Sequence, residues 1–198
     1  MSPELYPNDM TDRDIVAAAR KTPDAFAVLV ARYEAKLDRY IMRLGVRRPE
    51  DREDVLQEIF IKVYRNLNSY DADLSFSSWI YRIAHNEAIT FYRKLSVRPE
   101  GHQIDDGDEL FSWLLDSEVA SAERLFDETV SSAVLHKALQ ALEPKYRDPI
   151  ILRYFEYREY DEISDILKIP IGSVGTLIHR GKKRLAELIP QTHISPTP

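Results

Sequence analysis

Two clusters of residues in this chain have the types and spacing to recognise a nucleic acid, and none has the make-up to break a covalent bond. Between Ser75 and Leu95, residues Trp79, Arg82, Asn86 and Arg93 recur so that they line one side of a helix. Cations and an amide beside an indole suit phosphates and unstacked bases; a solvated basic face would carry the same residues. Towards the C-terminus, Thr176, His179, Arg180 and Lys183 share the outward side of another helical segment, opposite Val174, Leu177, Ile178, Leu185 and Leu188. A hydroxyl, an imidazole and two cations at that spacing can reach phosphates and base edges in a major groove. Catalysis needs converging acid, base or nucleophile groups. There is no nucleophile elbow and no phosphate-binding glycine loop, and the histidines at 85, 102, 136, 179 and 193 form no metal-binding pair. No enzyme activity, no cofactor and no metal is expected.

The elements that must position these residues are helices. Asp12 to Arg20 reads as a short one. A longer one follows, capped by Asp24 and stopped at Gly45, with Phe26, Val30, Tyr33, Leu37, Tyr40, Ile41 and Leu44 on its apolar side. Pro49 sits just before the next helix, where Val55, Leu56, Ile59, Phe60, Val63 and Leu67 form one stripe and Asp54, Gln57, Glu58, Ile61 and Arg65 the opposite face. An isoleucine within a charged face suits a docking surface, although singly exposed apolar residues are also ordinary. A helix from about Ser75, with that serine or a neighbour as N-cap, buries Phe76, Ile80, Ile83, Ala84, Ala88, Phe91 and Leu95. From Thr129 the period returns: Val134, Leu135, Ala138, Leu139 and Leu142 form a stripe, and Pro144 suits the start of the helix that follows. That helix carries Tyr146, Ile150, Ile151, Tyr154 and Phe155, and Pro149 either kinks it or marks a restart capped by Asp148. Finally, YDEISDILKIPIGSVGTLIHRGKKRLAEL reads as a short helix to Leu167, a glycine-containing turn, and a second helix capped by Ser173 and running to Leu188: helix–turn–helix geometry.

The expected fold class is therefore all-α, two small helical domains joined by an acidic flexible linker, the C-terminal one holding the helix–turn–helix. Residues 1–10 and 190–198 are expected to be disordered, with the domains at 11–95 and 129–189 and the linker at 96–128. A net charge of −6 over 198 residues sits awkwardly with phosphate binding. Its distribution explains it: residues 1–95 carry 15 basic and 15 acidic groups, 96–128 carry 2 and 10, and 129–198 carry 10 and 8. The linker holds almost all the excess acid. Its apolar knot (Phe111, Trp113, Leu114, Leu115) is compatible with a solvated linker or with packing on a partner. Limited proteolysis is expected to cut within 96–128 before it cuts within 51–95; the reverse order would contradict the two-domain plan. The absence of cysteine excludes disulfides and thiolate metal sites. With no apolar run of membrane-spanning length and no N-terminal signal, a cytoplasmic protein is expected.

The stretches DREDVLQEIFIKVYRNL and SFSSWIYRIAHNEAITFYRK resemble region 2 of the extracytoplasmic-function (ECF) sigma factors, the small group of the sigma-70 family; the helix–turn–helix resembles region 4 of the same group. The resemblance implies a bacterial promoter-specificity subunit, with the length leaving no room for region 1.1 or a full region 3. By it, Asp54, Gln57, Glu58 and Ile61 match the motif that docks on the β′ clamp helices of core RNA polymerase. Residues 68–75, with Tyr70 and Ser75, match the loop that captures a flipped −10 base, and Trp79, Arg82, Asn86 and Arg93 belong to the helix beneath it. Thr176, His179, Arg180 and Lys183 would read the −35 element, with the β flap as the second polymerase contact. An anti-sigma factor is a further implied partner, and the linker would thread towards the polymerase cleft. Gly175 and Leu177 stand where the family often has basic residues, so no −35 contact is assigned to them. Gly181 replaces the usual alanine, on the inward face, which points to close packing against the preceding helix. The alternative from the helix–turn–helix alone is a free-standing transcriptional regulator, which would have no use for residues 51–95.

Overall fold

In the computed structural model the structure describes residues 10–97 and 132–189. The first residues, the acidic linker with its apolar knot, and the tail from 190 lie outside the described residues. Among those described, the chain is all-α, with one short 3₁₀ turn and no strand. It forms two compact units, one built mainly from the first four helices and the other mainly from the last four.

The N-terminal unit comprises α1 (Asp12–Ala19), α2 (Pro23–Leu44), α3 (Pro49–Asn66), a 3₁₀ turn (Leu67–Ser69) and α4 (Phe76–Val97). Thr11 caps α1 by accepting the Asp14 amide at 3.2 Å. Two starts differ from the sequence expectation. Helix α2 begins at Pro23, with Thr22 rather than Asp24 in the capping position, and α3 begins at Pro49 itself. Proline costs nothing at a first helical position, where its missing N–H would have no partner, so it opens both helices. Gly45 does end α2, at φ 119°, its amide turned back onto the Ile41 and Met42 carbonyls. Ser75 opens α4 as expected, accepting the Ser78 amide at 3.3 Å.

Helix α2 packs against α1, α3 and α4. Its buried residues include Ala25, Leu29, Tyr33, Leu37, Tyr40 and Ile41, whereas Phe26 and Val30 are only half-buried. On α3 the stripe of Val55, Leu56, Ile59 and Val63 is buried, but Phe60 is half-buried. On α4 the expected Ile83, Phe91 and Leu95 are half-buried, and Tyr81 and His85 take their place in the core. The reason is a polar pairing that periodicity cannot register. Tyr40 and Tyr81 rings sit 5.0 Å apart, and the Tyr40 hydroxyl lies 3.2 Å from His85 Nδ1. The Tyr40 hydroxyl and the His85 ring each gain a partner, and the Tyr81 ring gains an aromatic face, which makes their burial tolerable. Arg52 is buried on the same terms, donating to Asp38 at 2.7 Å and to the Arg47 carbonyl at 2.5 Å.

The C-terminal unit is built mainly from α5 (Ser132–Ala141), α6 (Pro144–Tyr154), α7 (Tyr160–Leu167) and α8 (Ile171–Leu188). Leu135, Ala138, Leu139, Leu142, Tyr146, Ile150, Leu185 and Ile189 form its core, with Val134, Tyr154, Phe155 and Leu177 half-buried around them. Pro149 lies inside a continuous α6; there is no restart. Its missing N–H forgoes the bond to the Lys145 carbonyl, a cost of about 3 kcal/mol. Burial of the neighbouring Ile150 and Ile151 offsets that, at about 1.5–3 kcal/mol per side chain. Asp148 is no cap; it is buried beside Arg147, whose Nε donates to it at 2.8 Å. Leu188, expected inward, is 44% exposed, and Ile189 is buried instead. The helix ends at Leu188 and Ile189 turns into extended backbone, so the helical period stops one residue too early to predict that swap.

Candidate functional site

Three surfaces carry the residues expected to act. The first is the outer face of α3. Asp54, Gln57 and Glu58 are exposed and Ile61 is half-exposed. At about 100° per residue Ile61 lies directly opposite the stripe of Val55, Ile59 and Val63, so the apolar residue is not drawn there by the core. Tyr64, which the sequence reading passed over, extends this face: it is 48% exposed although its ring meets Phe26 edge-on at 5.0 Å. Its spacing of three from Ile61 and seven from Gln57 was the available signal. Chemically the face is an apolar pair rimmed by carboxylates, the make-up of a protein-docking surface.

The second surface is the loop between α3 and α4 with the adjoining face of α4. Trp79, Arg82, Asn86 and Arg93 do share one side of α4, with Asn86 and Arg93 exposed and Trp79 at the edge of the packed core. Ser75 is exposed at the head of the helix. Tyr70 differs from the expectation. Only 6% of it is exposed, and its ring packs at 5.4 Å from Phe76 and 5.1 Å from Trp79. Its hydroxyl donates to the Leu74 carbonyl, closing the loop on itself. Burial, then the carboxylates of Asp12 and Asp71, push the Tyr70 phenol above its ordinary pKa, so it keeps its proton and this bond further into alkaline solution than a free phenol would. Tyr70 thus builds the loop, and the exposed residues Asn68, Ser69, Asp71, Asp73, Leu74 and Ser75 are what the loop presents. An aromatic in a short polar loop looks exposed from sequence because its partners, Phe76 and Trp79, belong to the next helix.

The third surface is α8. Val174, Ile178, Gly181 and Leu185 are buried, and Thr176, His179, Arg180 and Lys183 are all exposed on the opposite side. The preceding α7 is held by a capping box in which Glu159 and Glu162 exchange side-chain and backbone bonds. The turn between the helices is Lys168–Pro170, and α8 starts at Ile171, earlier than a Ser173 cap would place it. Its left-handed residue is Lys168 (φ 55°), not a glycine; Gly172 lies within the helix. Lys168 and Ile169 amides both turn back to the Ser164 carbonyl, and Ser164 Oγ donates to the Ile169 carbonyl at 2.7 Å. Gly181 is inward as expected, but its neighbour is α6 rather than α7. A Cβ there would lie 2.7 Å from Ile150 Cδ1, 3.1 Å from the Tyr146 carbonyl oxygen and 3.2 Å from Tyr146 Cβ. Glycine lets α8 lie closer to α6 than any other residue would.

No described helix is long and apolar enough to cross a membrane, and no group of described residues could hold a metal ion. Residues 29–98 match the family described as Sigma-70 region 2, and residues 132–185 match Sigma-70, region 4. The chain is 33% identical over 182 residues to the ECF RNA polymerase sigma factor SigW of Bacillus subtilis, covering 89% of this chain and 95% of that one. It is 30% identical over 179 residues to the ECF RNA polymerase sigma-E factor of Escherichia coli K12, covering 89% and 93%. Among solved structures, CnrH in complex with the cytosolic domain of CnrY superposes with a TM-score of 0.65 at 25% identity, covering 89% and 96% of the two chains. The sigma factor RpoE from Bartonella quintana, solved with the anti-sigma factor NepR, shares the fold at TM-score 0.60 and 20% identity, covering 82% and 95%. With both regions present, in this order and along nearly the whole length of its relatives, the chain belongs to the sigma-70 family, among the ECF sigma factors that direct core RNA polymerase to promoters.

Proposed function

We propose that this sigma factor divides its work among the three surfaces. The outer face of α3 (Asp54, Gln57, Glu58, Ile61 and, beside them, Tyr64) docks on the β′ clamp helices of core RNA polymerase. The 68–75 loop with Trp79, Arg82, Asn86 and Arg93 takes the melted −10 strand, while Tyr70 holds that loop in shape from within. Thr176, His179, Arg180 and Lys183 on α8 read duplex −35 DNA. The observation that carries this reading is that Asp54, Gln57 and Glu58 on α3, Asn86 and Arg93 on α4, and Thr176, His179, Arg180 and Lys183 on α8 are exposed within the stretches where their family regions match. The first domain spans residues 11–95 and the second 129–189, with 96–128 as the acidic connection. An anti-sigma factor is a further partner on this reading; the similar sigma factor RpoE from Bartonella quintana was solved with one, NepR. We place the protein in the bacterial cytoplasm, where the polymerase is.

Transcription reconstituted with core polymerase tests the whole: promoter-specific transcripts require this chain, and no stimulation would overturn the reading. The division of labour has its own test. Arg180→Ala is expected to weaken holoenzyme binding to duplex and pre-melted promoters alike, by about tenfold, as loss of one good groove contact does. Asn86→Ala is expected to impair strand opening and pre-melted −10 binding while −35 protection persists. Footprinting on duplex and artificially bubbled promoters separates the two, and an Asn86→Ala holoenzyme that opened DNA normally would remove α4 from the melted-strand site.

A further inference from the structure

We infer that Arg20, at the end of α1, is a positioning residue that holds the loop between α3 and α4 in its strand-capturing shape. The inference rests on the reading of that loop given above. Arg20 Nε donates to the Leu67 carbonyl at 3.1 Å, and its terminal Nη2 donates to the Tyr70 carbonyl. These carbonyls stand at the start and just past the end of the 3₁₀ turn, and the Tyr70 amide itself returns to the Leu67 carbonyl at 3.3 Å. One guanidinium therefore clamps the turn where the loop leaves α3. Only arginine offers two donors in a rigid fork; a lysine has one nitrogen and can serve a single carbonyl well.

The clamp is anchored from behind. Ile15, Val16 and Ala19 bury α1 in the core, and Asp12 accepts from Arg32 at 2.8 Å and from the Tyr33 hydroxyl, both on α2. On the loop's far side the Tyr70 hydroxyl ties down the Leu74 carbonyl. Leu67, Tyr70 and Leu74 are thus fixed from two directions, and the loop's exposed residues are presented on a set backbone. A loop ordered beforehand loses less entropy when it takes up an unstacked nucleotide. Arg20 is itself exposed, so removing it takes nothing large from the core. Arg13 and Asp73, 3.8 Å apart and largely solvated, add little to the clamp.

The test uses holoenzyme carrying Arg20→Ala, Arg20→Lys or Asn86→Ala, with bubbled and duplex promoter DNA. Arg20→Ala is expected to lower affinity for the bubbled −10 strand about tenfold and to leave −35 footprints on duplex unchanged. Arg20→Lys keeps the charge and the stem but not the fork, and is expected to fall between. In a Trp113→Phe background Trp79 is the sole tryptophan, and its emission is expected to shift in Arg20→Ala without DNA, as Tyr70 loosens against it. Should the alanine variant melt early, the lysine variant carries the comparison. An Arg20→Lys holoenzyme equal to wild type would show that charge alone matters and overturn the positioning role. If Asn86→Ala weakens bubble binding and Arg20→Ala does not, this inference fails while the loop reading stands. Unchanged bubble binding in both overturns the two together.

Discussion

Ile61→Glu is expected to weaken binding to core RNA polymerase by about thirtyfold or more, the loss of a central interface anchor worth about 2 kcal/mol or more. The half-exposed isoleucine is ringed by Asp54, Gln57 and Glu58, so a partner that covers it removes an apolar side chain from water and leaves the polar rim hydrated. A glutamate there brings a carboxylate beneath the partner's surface, a desolvation cost that the exposed Arg65 one turn on offsets only in part. The free protein should barely notice. Position 61 faces away from Val55, Ile59 and Val63, and a glutamate four residues before Arg65 gains a helix pair of about 0.3–0.5 kcal/mol. Binding to immobilised core enzyme, with circular dichroism of the free variant, checks both halves. Undiminished binding by a folded Ile61→Glu protein would take α3's outer face out of the docking assignment, and Tyr64→Ala should then be silent too.

Stability offers the second large effect. Gly181→Leu is expected to destabilise the C-terminal unit by about 3 kcal/mol or more, because it drives new carbons into the contact between α8 and α6. Alanine asks for less. Its methyl would meet Ile150 Cδ1 at 2.7 Å, the far end of a side chain that can rotate, but also Tyr146 backbone and Cβ at 3.1 and 3.2 Å, which cannot. That penalty roughly cancels the gain of up to about 1 kcal/mol in helix propensity. Gly175 is the contrast. A Cβ there meets only Tyr160 Cε2 at 3.4 Å, an ordinary contact, so Gly175→Ala is expected to stabilise by up to about 1 kcal/mol. Amide exchange at Ile178 and Leu185 in the full chain reads both changes locally. Equal exchange in Gly181→Leu and wild type would mean that α8 does not need its glycine.

These cases show where the sequence was a sufficient guide. Stripes of aliphatic residues declared α3, α5 and α8, and a glycine at the right place stopped α2, because those signals are local. Helix α4 was half-legible: its outward row of Trp79, Asn86 and Arg93 followed from spacing, but its core did not. Tyr81 and His85 are buried because Tyr40, far away in sequence, supplies an aromatic face and a hydroxyl. Arg52 is buried because Asp38 waits for it. The same holds at the site. The resemblance puts Tyr70 among the base contacts, yet it is interior, and spacing gives Arg20 no role, since nothing within a helical window links it to carbonyls some fifty residues on. Partners distant in sequence are invisible to periodicity, and the polar core and the loop's scaffold depend on them.

The turn of the DNA-reading motif behaves as a sprung catch. Lys168 holds a left-handed backbone that an L-residue with a side chain leaves readily, at about 1–2 kcal/mol of stored strain. Left alone, that lysine would relax into one more residue of α7, and each residue added to a helix swings whatever follows by about 100°. Ser164 is the catch: its carbonyl takes the Ile169 amide, one residue further than a continued helix would allow, while its hydroxyl grips the Ile169 carbonyl. The direction in which Arg180 and Lys183 point is therefore set through a turn that a serine of the other helix closes.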